Sequence, residues 1–65
     1  MNIVVNGALF ATSSATLGDL ADERSVRRPG VAIAVNGMVI RATKWDEHQL
    51  NDGDAVEIVT AAAGG

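Results

Sequence analysis

Apolar side chains fall on every second position in three separate stretches of this chain, and on a three-to-four spacing in a fourth. Asn2 to Asn6 reads as a strand with Ile3 and Val5 on one face. Val31, Ile33 and Val35 alternate with Ala32 and Ala34, and Val56 and Ile58 with Ala55, Glu57 and Val59. A period of two in β-branched residues predicts three strands with the larger side chains turned inward. Leu17, Leu20, Ala21 and Arg24 follow helical spacing instead, which predicts a short amphipathic helix with Asp19, Asp22 and Glu23 toward water.

The punctuation between these stretches supplies the remaining elements. Asn6-Gly7 and Asn36-Gly37 are the dipeptides of a two-residue type I′ hairpin turn, so Ala8 to Thr12 and Met38 to Arg41 are expected to return beside the strands before them. Ser13, Ser14 and Thr16 offer helix caps, and Thr16 followed by Asp19 fits a capping box in which the hydroxyl accepts from the backbone N–H near Asp19. Gly18 inside the first turn costs about 1 kcal/mol relative to Ala. Val26-Arg27-Arg28-Pro29-Gly30 is expected to end the helix, because Pro29 disfavours helix at Arg28. Thr43-Lys44-Trp45-Asp46 reads as a second, capped single turn with Trp45 closing one end of the core and Leu50 beside it, and Asn51-Asp52-Gly53-Asp54 as a tight turn into the last strand.

One helix carried by a crossover between two hairpins, followed by a last strand, is satisfied by a helix packed across a mixed sheet of about five strands. If the first and last strands pair in parallel at its centre, the expected core is Ile3, Val5, Leu9, Leu17, Leu20, Val31, Ile33, Val35, Val39, Trp45, Leu50, Val56 and Ile58. This is an α+β layout, the β-grasp fold. It predicts a domain over residues 1–60 and a flexible tail over 61–65, with Val4, Ala32, Ala34 and Val59 on the opposite sheet face as a flat apolar surface for a protein partner.

Sixty-five residues leave little room for both a core and an enclosed active site, so function is expected on the outside. With no cysteine, disulfides, thiolate metal ligands and a cysteine nucleophile are excluded. The first seven residues carry no basic side chain and only three consecutive apolar ones, too few for a signal segment or membrane span, so a soluble cytoplasmic protein, monomeric when free, is expected. A formal charge of −3 disfavours nucleic acid as a partner. All of that excess lies after residue 32, where Arg41 and Lys44 face Asp46, Glu47, Asp52, Asp54 and Glu57; it either steers the tail toward a basic partner or simply solvates the surface.

Chemistry of the chain's own is thinly represented. A hydrolase would need Ser13, Ser14 or a threonine against the single imidazole of His48, a residue in a polar stretch where a surface role is commoner. Asn51-Asp52-Gly53-Asp54 with Glu57 lacks the alternating acidic spacing of a calcium loop, so no metal site is expected. No glycine-rich phosphate-binding motif occurs, and any ATP must sit on a partner.

The tail, Thr60-Ala61-Ala62-Ala63-Gly64-Gly65, is different. Extended, six residues reach about 20 Å, enough to thread a carboxylate into a cleft on another protein, and glycine leaves no Cβ to shield the terminal carbonyl carbon. The same composition also suits a frayed terminus.

In Ala34-Val35-Asn36-Gly37, Trp45-Asp46-Glu47-His48, Asp52-Gly53-Asp54-Ala55-Val56-Glu57-Ile58-Val59 and the final Gly64-Gly65, the chain resembles the sulfur carrier family of the thiamine pathway along its whole length. Ubiquitin-like modifiers and the small subunit of molybdopterin synthase share fold and tail, and a noncovalent β-grasp interaction module is a further alternative. The resemblance implies a carrier and co-substrate, not an enzyme. An E1-like (ThiF-like) adenylating enzyme would activate the Gly65 carboxylate with ATP, a sulfur donor protein would convert it to a thiocarboxylate, and a ThiG-like thiazole synthase would take the sulfur. Gly64, Ala63 and Ala62 would thread the partner's channel. The alanines carry less apolar bulk than many tails of that family, which predicts looser docking.

Overall fold

The two Asn-Gly turns set the phase of the whole sheet. The structure, a computed structural model, describes residues 1–60. Asn6 and Asn36 take φ of 51° and 52°, and Gly7 and Gly37 take 82° and 84°, the left-handed pairs that a type I′ turn requires. Strand β1 (Asn2–Val5) thereby returns as β2 (Ala8–Ala11), and β3 (Val31–Val35) as β4 (Met38–Ile40). The last strand, β5 (Ala55–Thr60), enters between the hairpins, parallel to β1 and antiparallel to β3. The order is β2-β1-β5-β3-β4, the α+β, β-grasp arrangement expected from the pattern.

Two expected core residues are not in the core. A two-residue turn places Val5 opposite Ala8 and Val35 opposite Met38, so Ile3 faces Phe10 and Ile33 faces Ile40. Residues paired across a ladder share a face, so Phe10 and Ile40 are the ones turned toward the helix, and both pack partly buried against the core. Leu9 and Val39 lie one residue out of that phase, on the other face, 79% and 71% exposed. Nine of the expected residues are buried (Ile3, Val5, Leu17, Leu20, Ile33, Val35, Trp45, Leu50 and Val56) and are joined by Ala21, while Val31 and Ile58 pack partly buried at the margin.

Helix α1 (Leu17–Glu23) begins as expected, with the Thr16 hydroxyl accepting from the Asp19 N–H at 3.1 Å. Its start is also stapled to the segment after Trp45: Leu17 N–H donates to the His48 carbonyl at 2.8 Å and Leu50 N–H to that of Ala15 at 2.9 Å. Gly18 is buried there, beneath the Asp46 carboxylate and the Arg27 guanidinium, and a Cβ at this position would overlap both. The helix stops several residues before Pro29. Ser25 takes φ 58°, Val26 N–H donates to the Ala21 carbonyl at 2.8 Å and Ser25 N–H to that of Asp22 at 3.1 Å, a Schellman ending with serine where glycine is usual.

The second helical piece is a 3-10 helix over Ala42–Glu47. Its cap position is Arg41, with no side-chain capping bond, so the expected cap at Thr43 is not formed; the helix begins two residues earlier, leaving Thr43 inside it. Trp45 is buried as expected, and its indole N–H donates to the Ile40 carbonyl at 2.9 Å.

Candidate interaction face and tail exit

Strand β5 connects everything that could serve a partner, and each asparagine of the hairpin turns grips one end of it. Near its start, Asn36 accepts from the Ala55 N–H through Oδ1 and donates through Nδ2 to the Asp54 carboxylate, both at 3.0 Å. Toward its end, Asn6 Oδ1 accepts from the Ile58 N–H at 2.7 Å and Asn6 Nδ2 donates to the Ile58 carbonyl at 3.2 Å. The β1 ladder reaches β5 only as far as Val56, whose carbonyl accepts from Asn6 N–H at 2.9 Å. The Asn6 side chain therefore extends that edge by one more bonded residue.

The face away from α1 collects the residues expected to meet a partner. Val4 and Ala34 are half-buried, Ala32 is exposed and Val59 is 61% exposed. Ala32 pairs with Val59 across β3 and β5. The two corrected residues extend this surface: Leu9 pairs with Val4 and Val39 with Ala34, so an apolar band runs from β2 to β4. Glu57, opposite Ala34, places one carboxylate within it. Hairpin register was the signal that could have assigned Leu9 and Val39 to this face.

The charged side chains mostly brace the fold. Arg27 spans Asp22 on the helix and Asp46 on the 3-10 segment, with its shortest contacts at 2.7 Å to each. Its hydrogen bonds hold the Asp46 carboxyl below its usual range, and the two carboxylates raise Arg27 further above its own. Glu23 is lowered chiefly by the Thr12 hydroxyl, which donates at 2.6 Å, and also by that of Ser14 at 2.8 Å. Ser14 is thus a carboxylate donor, and His48 supplies a backbone carbonyl to the helix start; the two are not assembled as nucleophile and base. Asp54 accepts from the Asn36 side chain and from the Asn51 N–H, and Asp52 from the Asn2 N–H at 2.8 Å, so this acidic turn uses its carboxylates to tie itself to β1 and to the second hairpin turn. Among the described residues, no group of three His, Cys, Asp or Glu is placed to hold a metal ion, and no helix is long and apolar enough to cross a membrane.

Thr60, paired with Val31, is the last described residue. Ala62, Ala63, Gly64 and Gly65, and with them the expected flexible tail, lie outside the described residues. One helix on a five-stranded mixed sheet, with an apolar outer face at which β5 ends, defines a small β-grasp protein of the ubiquitin-like class. A model of the ThiS family matches residues 2–65, and the chain belongs to that family. It is 29% identical over 66 residues to the sulfur carrier protein ThiS of Escherichia coli (strain K12), with the whole of both chains covered. The crystal structure of the thiamine biosynthesis protein ThiS from Geobacter metallireducens matches with a TM-score of 0.82 at 30% identity, again over all of both chains. A solution structure of a thiamine biosynthesis protein from the same organism gives 0.81, covering this chain fully and 88% of the other.

Proposed function

We propose that this chain is a sulfur carrier of thiamine biosynthesis that holds sulfur as a thiocarboxylate on Gly65 and delivers it for thiazole formation. It is a carrier and co-substrate, and its partners do the catalysis. The observation that supports this reading best is the apolar outer face, continuous with the strand that leads into Gly64-Gly65, on a chain whose family match runs over residues 2–65.

A carboxylate is a poor electrophile. Transfer of AMP from ATP to the Gly65 carboxylate, with loss of pyrophosphate, gives a mixed anhydride with a good leaving group. Hydrosulfide, released from the donor at the sulfide level, then attacks the carbonyl carbon, AMP departs with the bonding electrons, and loss of the sulfur-bound proton leaves the thiocarboxylate. This chain presents an unhindered glycine carbonyl on a threadable tail, with Ala62, Ala63 and Gly64 in the channel. It also presents a docking face of Val4, Ala32, Ala34 and Val59, extended by Leu9 and Val39. ATP belongs to an E1-like (ThiF-like) adenylating enzyme, the sulfur comes from a donor protein because this chain has no cysteine, and a ThiG-like thiazole synthase accepts it. The setting is the cytoplasm, where ATP is available.

Deleting Gly65, or adding one alanine after it, moves the carboxylate by roughly 3.3 to 3.6 Å, well beyond the tolerance of about 1 Å for reacting groups. Both variants are expected to lose ATP-dependent thiocarboxylate formation, read by intact mass with the adenylating enzyme and a sulfur donor. Their stability should move by no more than about 0.5 kcal/mol. Full conversion of either variant would overturn the requirement for a carboxylate at one fixed distance, whereas no conversion of the wild-type chain would overturn the carrier reading in favour of a noncovalent module.

A further inference from the structure

Past Val56, β5 has ladder pairing only from β3, yet this is the stretch from which the tail departs. The backbone groups of Asp54 and Val56 face β1, their carbonyls accepting from Val4 and Asn6, and by the alternation of a strand Ile58 is the next residue on that edge. Its N–H and C=O are the two groups taken by the Asn6 side chain, from 52 residues away. An asparagine is the side chain suited to this position. It accepts the left-handed backbone of the turn, and its amide offers one acceptor and one donor side by side, a mimic of the backbone that β1 lacks there.

We propose that Asn6 is a positioning residue for the transfer chemistry: by gripping both backbone groups of Ile58, two residues before Thr60, it fixes the direction in which the tail leaves the sheet. This rests on the carrier reading above. A strand held on one side only can splay, and a small angular error at Ile58 grows along the residues that must carry the carboxylate into a partner's channel. The docking face is untouched by this side chain, so the effect falls on the chemical step and not on recognition of the partner.

The test compares Asn6→Gly with Asn36→Gly. Glycine keeps the turn's backbone angles in both, while one loses the grip on Ile58 and the other the grip on Ala55. Adenylation with the partner enzyme is followed by pyrophosphate release, at a temperature where circular dichroism shows wild type and variants fully folded. Amide hydrogen exchange is measured beside it. For Asn6→Gly, kcat is expected to fall about tenfold with KM for the carrier within about twofold, and Ile58 to exchange about tenfold faster with Ala55 unchanged. Asn36→Gly should accelerate exchange at Ala55 and leave kcat as in wild type. Wild-type kcat in Asn6→Gly, or an equal fall in both variants, overturns the positioning role alone. A wild-type chain that the enzyme does not adenylate overturns the carrier reading, and the positioning role falls with it. Unchanged Ile58 exchange in Asn6→Gly shows that the grip is absent in solution and overturns the proposal independently of any partner.

Discussion

Gly18 lies directly beneath the carboxylate of Asp46, so close that even a methyl group at position 18 would overlap it and the Arg27 guanidinium bound to it. A glycine in the first turn of a helix is therefore the condition for an ion pair that ties the helix to the 3-10 segment.

Gly18→Ala is expected to exchange one effect for the other. Alanine favours the helix by about 1 kcal/mol, while the exposed ends of Arg27 and Asp46 must move apart. The melting temperature should shift by less than about 8 °C, the scale of 1 kcal/mol in a domain this small. The diagnostic readout is the Asp46 carboxyl, which should return toward its usual value of 3.8 in an NMR titration. If Asp46 keeps its lowered value in the variant, the pair has survived and the steric account of Gly18 is wrong.

The two faces of the sheet should separate by stability. Val56 is 1% exposed, and Val56→Asp buries an unpaired charge at the cost of several kcal/mol, enough to unfold so small a domain. Val59→Asp, Leu9→Asp and Val39→Asp place the same charge on the open face and should each move stability by no more than about 0.5 kcal/mol. Those three should instead weaken binding to the adenylating enzyme, measured by calorimetry beside a denaturant melt. Unfolding by Leu9→Asp comparable to that by Val56→Asp would contradict the hairpin register.

Acid should loosen the braces in a defined direction. Both Glu23 and Asp46 have folded values below their ordinary 4.5 and 3.8, so the charged forms favour the fold. Their contribution is fully present above those ordinary values and is lost as pH falls through the lower, folded ones. The melting temperature should therefore decline as pH drops below about 4.5, and Glu23→Gln and Asp46→Asn should each flatten that decline. An acid limb identical in wild type and both variants would show that these carboxylates are not held by Thr12, Ser14 and Arg27 in solution.

Strands β3 and β5 were legible because larger side chains alternate there with smaller or polar ones, β1 because an Asn-Gly turn closes a short β-branched run, and the helix because Thr16, Leu17, Leu20 and Ala21 combine a cap with a period. The outer strands were harder: Ala8-Leu9-Phe10-Ala11 and Met38-Val39-Ile40 are apolar at successive positions and show no phase of their own. Their phase is contained in the turn, since a two-residue loop makes Val5 and Ala8 partners and leaves Leu9 outside. The largest apolar side chain of β2 after Phe10 thus moves from the expected core to the open face of the sheet. Other features depend on residues far apart in the chain. Neither the roof over Gly18 nor the reach of Asn6 to Ile58 has a local signature, and the Ser25 helix ending uses a residue that ordinarily avoids positive φ. The role of Gly65 was raised by composition and by family resemblance.

The place of β5 in the sheet has a consequence for synthesis. Among the described strands it alone has ladder pairing to both hairpins, and it is the last of them to leave the ribosome. Until Ala55 to Thr60 emerge, the β1-β2 and β3-β4 hairpins have no shared edge, and a nascent chain holds two isolated ribbons of marginal stability. Completion of the sheet and completion of its outer face are then one event: a chain stalled before β5 has neither a joined sheet nor a continuous apolar band across it.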